Sequence, residues 1–207
     1  MHNLKDDQFY TVEHTESSTE LNVKGSRFIT NIFHVRSKRE AEDRYDRMRR
    51  KYHDATHNCY AYRINENVYR YSDDGEPAGT AGRPILQILE HKNLHQVLIV
   101  VSRYFGGTKL GIGNLSRAYA DSAKQILEQV KIIVKIKYKT ISLLTDYDHM
   151  SEILMLVNKF SGTIGKTDYT EKVIFSVQIP FSKFTRFQEE INSMINRGFV
   201  KFHSEDT

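Results

Sequence analysis

Residues 97–101 read VLIVV, hydrocarbon at every position. Alternation with polar residues would mark a strand with one wet face. Its absence predicts a central strand over residues 96–102, covered on both faces. The run is too short to cross a bilayer, so the cover has to come from the protein itself. That requirement predicts a layered domain of mixed helix and sheet. Next comes VSRYFGGTKLGIGNLSRAY, residues 101–119, with four glycines, three cations and no acid. Leu115, Tyr119, Ala123, Ile126 and Val130 then recur at helical spacing. They predict a long amphipathic helix opening near Asn114.

The remaining first two-thirds is less regular. Polar strands are predicted over 15–23 and 27–35. Ser37 opens an exposed helix whose thin apolar face is Ala41, Tyr45 and Met48. Residues 57–65 and 68–71 read as a hairpin around Asn65, Glu66 and Asn67, and a short helix is expected over 81–90. The stretch KIIVKIK from Lys131 reads as a strand leading across a boundary. With no low-complexity linker, the domains are expected at 1–135 and 136–207.

The second part follows a clear order. A strand covers 138–144. Ile153, Val157 and Phe160 fall at helical spacing, with Gly162 placed to stop the helix. A strand at 163–169 follows. Val173, Phe175, Val177 and Ile179 alternate up to Pro180, the mark of a half-buried strand. Ser182 is expected to cap a helix carrying Phe184, Phe187, Ile191 and Met194. Gly198 closes it before a last strand at 199–203. This β-α-β-β-α-β order predicts a ferredoxin-like domain, and the whole chain is α+β.

Two glycine-rich loops hold the chemistry. The first, YSDDGEPAGTAGRPI, spans 71–85. It lacks the acid spacing of a calcium loop. Asp73, Asp74 and Glu76 could supply a catalytic carboxylate pair. Asp74-Gly75 and Glu76-Pro77 equally read as turn and helix-entry chemistry. The second loop fails both nucleotide fingerprints: Ile112 replaces the Lys of a P-loop, and Ser116 replaces the third dinucleotide glycine. What remains is a strand end, a flexible loop and a helix start near Asn114, with Arg103, Lys109 and Arg117 beside them. Such a corner suits a phosphate or sulfate. Purely structural glycines fit the same residues.

Both loops are expected on one side of the domain, because the helix over 81–90 runs back along the central strand. Their helix starts, with Arg83, are then expected to aim free amides at one place. His53, His57 and Cys59 lack a fourth ligand at metal-site spacing, so no metal is assigned. His57 and Cys59 share one strand face, as a Cys–His nucleophile would, but nothing in the sequence orients the histidine. Lys24-Gly25-Ser26-Arg27 reads as a hairpin turn whose cations could also meet a phosphate.

The net charge is +4. Residues 1–135 carry 21 Lys and Arg against 17 Asp and Glu, and the remainder carries nine of each. Such an excess permits a nucleic-acid partner without demanding one. The single cysteine rules out an internal disulfide. With a polar, acidic beginning, it leads to the expectation of a cytoplasmic protein with no signal peptide and no membrane partner.

The two loops together, YSDDGEPAGTAGRPIL and VVSRYFGGTKLGIGNLSRAY, closely resemble the IMPACT family in its bacterial, YigZ-like branch. KGSRF at 24–28 and THNCYAYR at 56–63 fit the same pattern. Asn114 departs from it, standing where the family usually has glycine. The resemblance implies an N-terminal domain of the kind found in ribosomal proteins and in domain four of elongation factor G. It implies a C-terminal domain like that factor's domain five. The eukaryotic namesake regulates translation by competing for an activator of a stress-response kinase. No catalytic residues carry over.

The expected function is therefore non-enzymatic binding to RNA, the ribosome or a translation-related protein, with no cofactor. Arg27, Arg83, Arg103, Lys109 and Arg117 would meet phosphates around Gly106, Gly107, Gly111 and Asn114. The alternative is an enzyme or small-molecule binder using the cleft between the loops, where Asp73, Asp74 and Glu76 could face Arg103 and Lys109.

Overall fold

The structure is a computed structural model that describes residues 7–13 and 16–203. The chain divides into two compact units, one of Phe9–Lys135 and one of residues 1–8 with 136–207.

The first unit is built on a five-stranded antiparallel sheet. Its strands are β2 (Ser17–Val23), β3 (Ser26–His34), β4 (His57–Arg63), β5 (Tyr69–Ser72) and β6 (Val97–Tyr104), in the order β2-β3-β6-β4-β5. The hydrocarbon run is indeed the central strand. Val97, Ile99 and Val101 face the helices α2 (Gly82–His91) and α3 (Ile112–Gln129) in one core. Leu98 and Val100 face α1 (Lys38–Lys51) in another. All five side chains are wholly buried, each stabilising the fold by about 1.5–3 kcal/mol. Ser37 caps α1 as expected, accepting from the Glu40 amide at 3.2 Å.

Two features differ from expectation. The strand β1 (Gln8–Val12) pairs with β7 (Ile132–Ile136) in a separate two-stranded sheet. The helix α3 begins at Ile112, two residues before Asn114, because Gly111 adopts a left-handed φ of 79° and turns the chain early. Residue 15, at the start of the expected first strand, lies outside the described residues.

The second unit follows the order β8 (Tyr138–Thr145), α4 (Met150–Lys159), β9 (Thr163–Tyr169), β10 (Val173–Pro180), α5 (Phe181–Asn196) and β11 (Val200–Phe202). Its sheet runs β11-β8-β10-β9, every pair antiparallel, which is the ferredoxin-like arrangement. The alternating residues of β10 pack against the stripe Phe184, Phe187, Ile191 and Met194. Two local expectations need correction. Ser182 does not cap α5: Pro180 holds that position, and the Ser182 hydroxyl donates to Asp7 Oδ2. After α4 the left-handed residue is Ser161, φ 56°, not Gly162. Gly162 is small because a Cβ there would lie 2.4 Å from Ile179 Cδ1.

Candidate functional site

The corner at the end of β6 is built from three chain segments. The β2–β3 turn presses its Gly25 against Gly106 so closely that a Cβ on Gly106 would lie 1.9 Å from the Gly25 carbonyl carbon. The Ser26 hydroxyl then accepts from the Gly106 amide and from Arg103 Nη2, each at 3.2 Å. The Phe105 amide donates to Thr56 Oγ1 at 3.0 Å. These contacts fix the loop backbone while leaving Lys24, Arg27, Phe105 and Lys109 exposed.

Glu76 from the first glycine loop reaches the second. Its Oε1 accepts from Arg103 Nη1 at 2.6 Å and from the Tyr119 hydroxyl at 2.8 Å. Both partners of the ion pair are buried. Breaking such a pair typically costs about 3–5 kcal/mol, because one charge is left uncompensated. Arg103, expected at a phosphate, is thus turned inward as a bolt between the loops. The other carboxylate oxygen, Oε2, lies 3.8 Å from His57 Nε2, beyond hydrogen-bond length. The His57 Nδ1 lies 2.7 Å from the Asp74 carbonyl, which can only accept, so this nitrogen carries the proton.

The remaining acids are also committed. Asp73 Oδ1 accepts from the Ala81 and Gly82 amides, and Oδ2 from the Gly79 amide. The start of α2 therefore already holds an anion of its own. Its amides are not free for a ligand, contrary to expectation. Asp74 Oδ2 accepts from the Asn58 amide at 2.6 Å. Of the three acids only Glu76 faces the second loop, so the expected acidic wall shrinks to one carboxylate.

Cys59 lies wholly buried, 3.0 Å from the Asp73 carbonyl and 3.3 Å from the Tyr119 hydroxyl. Burial pushes its thiol far above the ordinary range. An activated nucleophile needs the opposite shift, so the Cys–His reading fails here. Among the described residues, no group of three or more His, Cys, Asp or Glu side chains is placed to hold a metal ion.

The other expected residues fall in distinct places. Arg27 lies over the Tyr104 ring, 4.6 Å from its centroid. Arg83 pairs with Glu90 at 3.7 Å, near the Tyr71 ring. Lys109 and Gly111 line a cavity of about 320 Å³, together with Glu76, Pro77, Arg103, Phe105, Leu110, Ile112 and Leu115. Both glycine loops therefore meet at one cavity. Arg117 is exposed on α3 but does not line it. Asn114 ties the loop shut, its Nδ2 donating to the Leu110 carbonyl at 3.0 Å. Gly107 is exposed, with a left-handed φ of 83°.

This assembly coincides with a match to known proteins. The Impact N-terminal domain matches residues 24–127, from the β2–β3 turn to the last turns of α3. The chain belongs to the IMPACT family. It is 32% identical over 190 residues to the IMPACT family member YvyE of Bacillus subtilis, covering 91% of this chain and 87% of that one. It is 33% identical over 173 residues to the IMPACT family member YigZ of Escherichia coli, covering 82% and 85%. A crystal structure titled as that of a hypothetical protein superimposes with a TM-score of 0.69 at 29% identity, over 97% of this chain and 99% of the other. In this IMPACT-family chain, the matched segment contains every residue of the Glu76–Arg103–Tyr119 network and the whole cavity.

Sequence reading missed several members of the site. Ser26 looked like a turn residue and Tyr119 like one more apolar position of the α3 stripe. Tyr119 carried a usable signal: a hydroxyl on a buried stripe needs a polar partner. Phe105, an aromatic between a strand end and two glycines, carried another.

Proposed function

We propose that this protein binds RNA, free or within the ribosome, without catalysis, and that it acts in the control of translation. The observation that carries the reading is the rim of the glycine corner. Lys24, Arg27 and Lys109 stand exposed around an exposed Phe105, on a backbone held by the Gly25–Gly106 contact and the Ser26 bonds. Cations beside an aromatic face are what single-stranded nucleic acid needs: charge for its phosphates and a platform for a base. Arg117 on α3 can add a fourth phosphate contact. Commitment of Asp73 and Asp74 to backbone amides supports binding rather than acid–base chemistry. Membership of a family whose eukaryotic namesake regulates translation supports the same setting. Among the described residues, no helix is long and apolar enough to cross a membrane.

Filter binding to RNA and to ribosomes at several salt concentrations tests this directly. Binding that weakens steeply with salt is expected, because neutralised phosphates release counterions. Absence of binding to either at low salt contradicts it.

The cavity favours a second reading, a small-molecule binder working between the two glycine loops. Saturable binding of a small molecule by a protein that ignores RNA would select it.

A further inference from the structure

The second half of α1 carries an unbalanced charge. Residues 38–43 hold two cations and three acids, whereas residues 44–51 hold five cations against Asp46 alone. The helix dipole accounts for cations in the last turn, here Arg49, Arg50 and Lys51. Arg44 and Arg47 lie before it. Asp43 and Asp46 stand four residues before Arg47 and Arg50, the spacing that pairs opposite charges on a helix. Among the described residues, however, no ion pair engages any of these five cations. Arg44, Arg49 and Lys51 lie over the rings of Phe33, Tyr45 and Tyr52. Those contacts hold the side chains and leave their charge unneutralised.

This end of α1 is fastened to the glycine corner. The Thr56 amide donates to the Arg103 carbonyl at 2.8 Å, and the Phe105 amide donates to Thr56 Oγ1 at 3.0 Å. The Tyr104 hydroxyl donates to Asp54 Oδ1 at 2.8 Å. Leu98 and Val100 face α1, so by strand alternation Tyr104 lies on that same face of the sheet. Arg27, opposite Tyr104 in register, lies over its ring. A charged surface thus runs from the rim through Arg27 to the last turns of α1, with Asp54 tied to Tyr104 between them.

Building on the RNA-binding reading, we propose that the last two turns of α1 seat the backbone of an RNA duplex adjoining the single strand at the glycine corner. From Arg44 to Lys51 the helix runs about 10 Å, enough to track several phosphates. Arg44, Arg47 and Lys51 follow one another at spacings of three and four, which sets them in one stripe. The aromatic residues beside the stripe, Tyr45 and Tyr52, are half-buried. A single strand binds through base stacking as well as charge. A duplex offers phosphates and 2′-hydroxyls and keeps its bases stacked away. Cations without an exposed platform therefore fit the duplex, and the rim around Phe105 fits the strand. A bilayer surface fits poorly, because the apolar side of α1, Ala41 and Met48, is buried against the sheet.

Three RNAs test the seat: a single-stranded ten-mer, a blunt hairpin of twelve base pairs, and the same hairpin carrying the ten-mer as a tail. Fluorescence anisotropy gives their affinities for the full chain and for the Arg47→Ala, Arg50→Ala, Lys51→Ala triple variant. All three side chains are exposed, and unchanged melting confirms the fold. An Arg47→Lys, Arg50→Lys variant keeps the charge. The parent is expected to bind the tailed hairpin at least about tenfold more tightly than the ten-mer. Its salt slope should be steeper by about 2 to 3, the value for three neutralised duplex phosphates. The triple variant should lose this advantage and keep its ten-mer affinity, while the lysine variant retains both. A tailed hairpin bound by the parent no more tightly than the ten-mer overturns the seat and leaves RNA binding standing. So does a triple variant that keeps the full advantage, or one that weakens both RNAs equally. Binding of the hairpins without the ten-mer supports the seat and removes the single strand from the corner. Absence of binding to all three overturns the RNA reading and the seat with it.

Discussion

Asp73 decides what the start of α2 can do, because its carboxylate already occupies the amides of Gly79, Ala81 and Gly82. Removing that internal anion leaves those donors without a protein partner. Asp73→Ala is expected to lower stability by about 0.5–2 kcal/mol, the range for lost helix caps. Urea unfolding measures it, and a change below that range would mean that water replaces the carboxylate at no cost. A second residue-scale prediction concerns Cys59 and Tyr119. Burial, the largest cause in each case, raises both above their ordinary values of 9.0 and 10.0. A pKa raised in the folded state contributes stability fully below the unfolded value and loses it as pH climbs above. The urea midpoint should therefore hold up to about pH 8 and fall between about pH 9 and pH 11. Replacing the thiol, as Cys59→Ala, should remove part of that slope. A midpoint that rises across the same interval would contradict the assigned burial.

Elements were legible where one pattern had one meaning. A short hydrocarbon run rich in β-branched residues reads as a covered strand, and β6 is one, with neighbours on both faces. Alternation over Val173, Phe175, Val177 and Ile179 placed β10, and the spacing of glycines and cations marked the corner at the end of β6. The burial of Arg103 was not legible. Its partner Glu76 lies 27 positions away, and nothing local distinguishes an inward arginine from an outward one. The strand β1 was missed because it is short and its partners, β7 and the Leu94 backbone, are distant in sequence. Ser182 was misread because Pro180 ends β10 and caps α5 at once. The Gly25–Gly106 contact joins two such elements, a hairpin turn and a strand end. With a Cβ at 1.9 Å from a backbone carbon, Gly106→Ala must push the β2–β3 turn away from the loop. A loss of about 1–3 kcal/mol is expected, as for other overpacked sites. The amide signals of Gly25 and Ser26 should shift with it. An alanine variant as stable as the parent, with those signals unmoved, would show that the two loops are not pressed together.

At the scale of the whole molecule, the basic excess belongs to residues 1–135, while residues 136–207 are balanced. The phosphate recognition proposed above would therefore fall to the first unit, at the rim formed by Lys24, Arg27 and Lys109, with Arg117 on α3. Arg103 is excluded by burial and Arg83 is engaged by Glu90. The most direct test is the salt dependence of RNA affinity for the parent protein and for the Lys24→Ala, Arg27→Ala, Lys109→Ala triple variant. Neutralising three to four phosphates of a single strand predicts a slope of log K against log salt of about −2 to −3. The triple variant should bind far more weakly at low salt and retain a slope shallower than about −1. A parent slope near zero, or a triple variant that matches the parent in affinity and slope, would contradict the account.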